Sequence, residues 1–276
     1  MTALKAHVGP IFLTYPKNNS VDGILNDVIA KRKPVYDFVS NDKIKHTVWV
    51  IDNPQTIQHL ITVFKQEIPN TYIADGHHRA ASAAKVGRKL QEANVHHTGK
   101  EDYNFFLSVL FPASQLAIMD YNRLVKDLNG LSTDEFFKRL DKKFVVKRRV
   151  NGKPKKHHDL SMYLEGEWYQ LNPKEDSFKN DAIGILDVSI LQENLLHPIL
   201  GIKDPRTDKR IDFVGGIRGL EELKSRVDSG DMKVAFALYP VSIEQLMNIA
   251  DSGKIMPPKS TWFEPKLRDG LFSHLF

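Results

Sequence analysis

The chain of 276 residues, 41% hydrophobic and 26% charged, has the composition of an ordinary globular protein and the length for two domains with separate cores. It contains no cysteine, which excludes disulfides, thiolate metal sites and a cysteine nucleophile. No stretch is long enough to cross a membrane, and residues 1–7 lack the apolar core of a signal peptide, so a cytoplasmic protein with no membrane partner is expected.

In chain order, residues 8–15 read as a strand close to the first residue, which implies that this end is tied into a sheet. A helix is expected over 20–33, closed by Pro34, and a strand over 47–51. Residues 54–66 place Ile57, Leu60, Ile61 and Phe64 at helical spacing. Residues 72–74 form a strand, Asp75-Gly76 a turn, and 77–92 a helix rich in Ala, Lys, Arg and Glu. The nearly continuous apolar run 105–111 predicts a strand buried on both faces, paired with a strand over 116–121. Ser132 and Glu135 form a capping box with Leu131 and Phe136 as its staple, opening a helix that runs to about residue 142. Strands over 144–150, 160–164 and 167–171 suggest an antiparallel meander.

The net charge of +5 is local, because residues 138–156 hold ten bases and one acid, +9, leaving −4 for the remainder. This run contains Asn151-Gly152, a hairpin signal, so a lysine-coated, solvated hairpin is expected and nucleic acid is not the expected partner. Further on, helices are expected over 188–196, 220–227 and from the Ser242/Gln245 cap to Gly253, with strands over 211–214 and 234–239. The reading is mixed α+β, with a domain boundary near residue 130, hence domains 1–130 and 131–276.

Chemistry concentrates at the strand, glycine turn and helix of residues 71–86. A helix start presents free N–H groups and the positive end of its dipole, which together bind anions. Here that end also carries Asp75, Gly76, His77, His78 and Arg79. Phosphate with a nearby metal or proton acceptor is the favoured ligand. The plain alternatives are Asp75 as a helix cap and Arg79 as a surface charge. Adjacent His77 and His78 point about 100° apart on a helix, which disfavours one ion held by both. The pairs His96-His97 and His157-His158 are expected in solvated loops. Three later polar stretches are also candidates: the loop with Arg206, Asp208 and Arg210, the Gly215-Gly216 pair with Arg218, and residues 257–261 with Lys259, Ser260 and Thr261. Each also reads as an ordinary turn.

Stretches 73–79 (IADGHHR), 120–123 (DYNR), 186–190, 198–202, 210–216 and 256–261 (MPPKST) resemble a widespread family known only as a domain of unknown function. The DGHHR turn is also similar to the phosphate-binding turn of the ParB and sulfiredoxin superfamily, in which free-serine kinases use an Asp-Gly-x-His-Arg turn to hold nucleotide phosphates and magnesium. The resemblance implies a ParB/sulfiredoxin-like domain over 1–130, with an antiparallel α+β region over 131–276 contributing to the site. It implies ADP or ATP and Mg2+ as cofactors and a small hydroxyl metabolite such as serine as substrate. Asp75 and His78 are then the catalytic residues, with Asp75 on the metal. Gly76, His77, His78 and Arg79 hold phosphate with Lys259, Ser260 and Thr261, and Arg206, Asp208, Arg210 and Arg218 are substrate contacts. Lys259 is expected close to the Asp75 turn. Family members usually begin upstream, with a Lys-His-Glu stretch whose glutamate corresponds to the kinases' base. By that comparison the domain is expected to be truncated, binding nucleotide but turning it over poorly. The rival readings are a ParB-like nucleotide-binding regulator and a metal-dependent hydrolase; a homo-oligomer is left open.

Overall fold

The computed structural model describes residues 1–264 and 266–276. The chain is mixed α and β throughout and divides into two compact units, Met1–Leu116 with Leu267–Phe276, and Ala117–Lys266. The division falls before residue 117 and not near 130, because the strand Tyr121–Val125 pairs with two strands of the second unit.

The first unit runs β1 (Ala6–His7), β2 (Ile11–Tyr15), α1 (Asn19–Lys31), β3 (Tyr36–Val39), β4 (Lys45–Val48), α2 (Pro54–Glu67), β5 (Tyr72–Asp75), α3 (His77–Ala93) and β6 (Ser108–Pro112). Strand β2 is buried along its whole length and is central in a three-stranded sheet, antiparallel to β5 and parallel to β6. Helices α1 and α2 begin at asparagine caps, Asn18 accepting from the Val21 N–H at 3.0 Å and Asn53 from the Thr56 N–H at 2.9 Å. Such caps satisfy helix-end donors that would otherwise be orphaned. Tyr15, Val21, Val63 and Ile68 pack together beneath the two helices.

Two expectations change here. The run 105–111 does not form a strand buried on both faces: Phe105 and Phe106 precede β6 and are 57% and 47% exposed. Strand β6 lies at the sheet edge, where one flank has no covering strand. The strand expected over 47–51 ends at Val48 as β4 and pairs with β3 in a hairpin whose β3 strand is exposed throughout.

The second unit runs β7 (Ala117–Met119), β8 (Tyr121–Val125), α4 (Thr133–Leu140), β9 (Phe144–Arg149), β10 (Leu160–Leu164), β11 (Glu167–Pro173), α5 (Asp187–Leu191), β12 (Ile211–Gly215), α6 (Gly219–Asp228), β13 (Val234–Ala237), α7 (Ile243–Asp251) and β14 (Trp262–Glu264). Its six-stranded sheet has the order β12-β8-β13-β10-β11-β9, every neighbour antiparallel. Side chains alternate between faces. Val125, Leu160, Met162, Leu164, Val234 and Phe236 enter the main core with α4 and α5. Leu124, Tyr163, Ala235 and Ala237 pack on the other face with Leu223 and Val227 of α6.

Strands β9 to β11 are not a meander, since β11 lies between β10 and β9. The tight turn is Glu165-Gly166, both at positive φ (51° and 82°), joining β10 to β11. Asn151-Gly152 therefore closes no hairpin. Gly152 is buried against Trp168, whose ring lies 2.3 Å from where a glycine Cβ would stand. Nor is the basic run simply solvated: Arg149 is half-buried and donates to Asp159 at 3.0 Å, Ser161 at 2.8 Å and the Lys153 carbonyl at 2.9 Å. Strand β7 pairs with β14 and not with β6. The first unit ends with β15 (His274–Leu275), antiparallel to β1.

Candidate functional site

At the end of β5 the chain turns into α3 through Gly76, in the left-handed region at φ 89° and ψ 26°. This is the conformation glycine adopts at least cost. As the residue preceding the helix, Gly76 brings no side chain to close the helix start. Asp75 is not the cap either, because its Oδ1 accepts the N–H of Gly76 at 2.7 Å. His77 and His78 are exposed and Asp75 is partly buried.

Arg79 folds back over this turn. A Cβ on Gly76 would meet its Nε at 3.0 Å and its Nη2 at 3.1 Å. The place of a Cβ on Gly9 is 3.6 Å from Arg79 Cδ and 2.8 Å from Asp269 Oδ1. Two glycines thus give the arginine room. Its Nε is buried without a hydrogen-bond partner, a costly state for a charged donor and one relieved by any rearrangement that brings an acceptor. Along the same helix face, a shallow pocket of about 560 Å³ is lined by His78, Arg79, Ser82, Lys85 and Lys89 with no carboxylate among its walls. Gly76, His77, His78 and Arg79 thus stand together at one helix start, with the Asp75 carboxylate beside them.

Among the described residues, no three His, Asp or Glu side chains converge as a metal cage. A magnesium ion at this turn would take Asp75 from the protein and its other ligands from phosphate oxygens and water, a coordination that ion accepts.

The other predicted residues lie in the second unit. Lys259 is at positive φ (58°), its Nζ 5.6 Å from the ring centroids of both Tyr121 and Phe213 and 3.4 Å from Tyr121 Oη. Ser260 is buried, its hydroxyl donating to the Pro257 carbonyl at 2.6 Å, and Thr261 is partly buried. Arg206 clamps Asp204 through Nε at 3.0 Å and Nη2 at 2.8 Å, and that hydrogen bonding holds the Asp204 carboxyl down to about 2. Arg210 bonds Asp208 at 2.9 Å and the Leu200 carbonyl at 3.0 Å. Arg218 is exposed, 3.8 Å from Glu222 on the next turn. The Gly215-Gly216 pair leaves space for the protein itself: added Cβ atoms would fall 2.6 Å from the Trp262 ring and 2.1 Å from Asp120 Oδ1.

Sequence reasoning missed the long-range role of Arg123, which is buried in β8 and bonded to the Lys259 carbonyl at 2.8 Å. An arginine directly before apolar Leu124 and Val125 in a strand was the available signal. The histidine pairs are also less loose than expected. His97 lies 2.9 Å from Tyr103 Oη, and His158 Nε2 lies 3.0 Å from the Ile185 carbonyl.

A family model described as protein of unknown function (DUF1015) matches residues 1–189, and the chain belongs to that family. A search of curated proteins finds no match. Among solved structures, the chain is similar to a mutant free serine kinase in complex with ADP, at 14% identity, covering 91% of this chain and 83% of that one with a TM-score of 0.41. It is similar to a free serine kinase in complex with AMP at 13% identity, with the same coverage and TM-score of 0.41. A conserved hypothetical protein from Pyrococcus furiosus is 14% identical, covering 94% of this chain and 90% of that one with a TM-score of 0.41.

Proposed function

We propose that the Asp75–Arg79 turn binds the phosphates of ADP or ATP, and that the protein transfers a phosphoryl group to the hydroxyl of a small metabolite, serine being the first candidate. The observation that carries this reading is Arg79, lying over a left-handed glycine at a helix start with a buried Nε that has no acceptor. Arginine matches phosphate in two-point geometry, and helix N–H groups and Lys85 and Lys89 on the adjoining face add attraction. Phosphoryl transfer requires little beyond positioning and charge neutralisation. In this reading Arg79 and His78 hold phosphate oxygens. Asp75 either anchors Mg2+, which when bound neutralises phosphate charge, or accepts the proton that leaves the attacking hydroxyl.

The test is titration calorimetry with ADP, ATP and inorganic phosphate, with and without magnesium, on the wild-type chain and Arg79→Ala. A charge-assisted pair contributes roughly 1.5–3 kcal/mol, so Arg79→Ala is expected to weaken ADP about tenfold or more while the circular dichroism spectrum stays unchanged. Unaltered affinity would overturn the phosphate assignment. Transfer is assayed separately as phosphoserine formed from ATP or ADP. Tight nucleotide binding with no transfer to any hydroxyl acceptor would leave a nucleotide-binding regulator in place of a kinase.

A further inference from the structure

Residues 117–266 contain a cavity of about 930 Å³, with walls from α5, residues 176–184, 203–206 and Pro257-Pro258. The phosphate-binding turn uses none of these residues. Arg123 reaches the cavity from β8 although it is only 4% exposed. Its Nη1 donates to the Tyr121 carbonyl and its Nη2 to the Lys259 carbonyl at 2.8 Å, and its guanidinium carbon lies 5.6 Å from the Phe213 ring centroid. No carboxylate among the described residues pairs with it. Burial lowers its pKa to about 10, so the group is cationic at neutral pH. Two carbonyls satisfy part of a five-donor fork and leave a buried charge without a counter-charge, an expensive arrangement.

Two further groups in the same cavity lack a full set of partners. Ser189 lines it, and its hydroxyl oxygen is buried with no hydrogen bond. Asn194, 4% exposed, also lines it, and its Nδ2 reaches only Ser177 Oγ, at a long 3.4 Å. Asn194 sits in the segment Gln192–Leu196, which is wound as a π-helix. Such turns cost helix hydrogen-bond geometry and recur at functional sites. The charges at the rim are different: Arg206 is clamped to Asp204, and Lys254 lies 3.5 Å from Asp181. Phe178 and Val188 supply an apolar wall.

We infer that this cavity is a binding site for a small carboxylate-bearing metabolite, its carboxylate paired with Arg123 and hydrogen-bonded by Ser189, its body packed on Phe178 and Val188. A guanidinium fork matches a carboxylate in two-point geometry, and with the exposed Asp176 and Glu193 on the lining balanced by the exposed Lys179 and Lys203, buried Arg123 is the cation left to pair with it. The inference does not depend on the nucleotide reading.

The experiment uses the full chain with acetate, succinate and glutarate as probes, succinamide as the uncharged match and inorganic phosphate as the competing anion. Binding is read by thermal shift and calorimetry at millimolar concentrations. At least one carboxylate is expected to stabilise the protein, with succinamide and phosphate weaker. Ser189→Ala removes a hydroxyl that has no protein partner, so the variant should fold normally and bind the carboxylate roughly threefold to tenfold more weakly. Arg123→Lys keeps the charge, loses the fork and should bind at least about tenfold more weakly. Arg79→Ala should leave carboxylate binding unchanged. No response to any of the three acids, an equal response to succinamide or phosphate, or full retention of binding in Ser189→Ala would overturn the proposal, whether or not Arg123→Lys folds.

Discussion

At Gly76 the backbone conformation and the space above it make the same demand. A φ of 89° strains any residue with a Cβ, and that Cβ would press on the Arg79 guanidinium. Gly76→Ala should therefore cost about 1–3 kcal/mol in urea unfolding and also weaken ADP, because the arginine must move. Asp187 is a second position with a distinct signature. Its Oδ1 accepts the His158 N–H at 2.9 Å, its Oδ2 is buried without a hydrogen-bond partner, and burial raises its pKa against the lowering influence of that bond, His157 and His158. The folded state thus holds the proton to higher pH than the unfolded chain does. Stability carried by this group is present below the ordinary carboxylate pKa and is lost as pH rises toward the folded value. Asp187→Asn cannot ionise, so its stability relative to wild type should improve as pH climbs through that interval, as read from urea midpoints. A difference independent of pH would refute the assignment.

At the scale of elements, strong local signals were readable and pairings were not. The caps at Ser132 and Ser242 stand as expected, each with its reciprocal bonds: the Ser132 N–H donates to Glu135 at 2.9 Å and the Ser242 N–H to Gln245 at 3.0 Å. Ser132→Ala should cost about 1 kcal/mol, measured by thermal or urea unfolding. Helices α2, α3 and α6 fall within two residues of their expected ends, because periodicity and caps act over a few residues. Asn-Gly at 151–152 misled because its usual turn meaning yields here to burial against Trp168. Gly152→Ala is expected to lose about 1–3 kcal/mol through overpacking, whereas a solvated hairpin turn would tolerate it. The DGHHR constellation was legible because its members are consecutive. The Arg123 cavity was not, since its defining bond joins residues 136 apart in sequence.

Over the whole molecule, burial is uneven. Helices α1, α2 and α3 have 13, 14 and 17 residues and bury only Val21, Val63 and Ala83 respectively. In contrast, β10 and β13 are buried at every position. Local opening follows buried apolar contact. Amides of α1 to α3 should exchange with solvent hydrogen well before those of β10 and β13, and ADP should slow exchange at the start of α3. Uniform protection would contradict this gradient.

The first unit is discontinuous in sequence, its last strand arriving only after the second unit is complete. On the ribosome, β1 emerges early and waits for residues 274–275. At typical elongation rates of roughly 5–20 residues per second that delay is on the order of 10–50 s. The contiguous stretch 117–266 can form its own core during that time. Of the two units, the one whose sheet β5-β2-β6 is synthesised first is thus the one that receives its last strand after the other is complete.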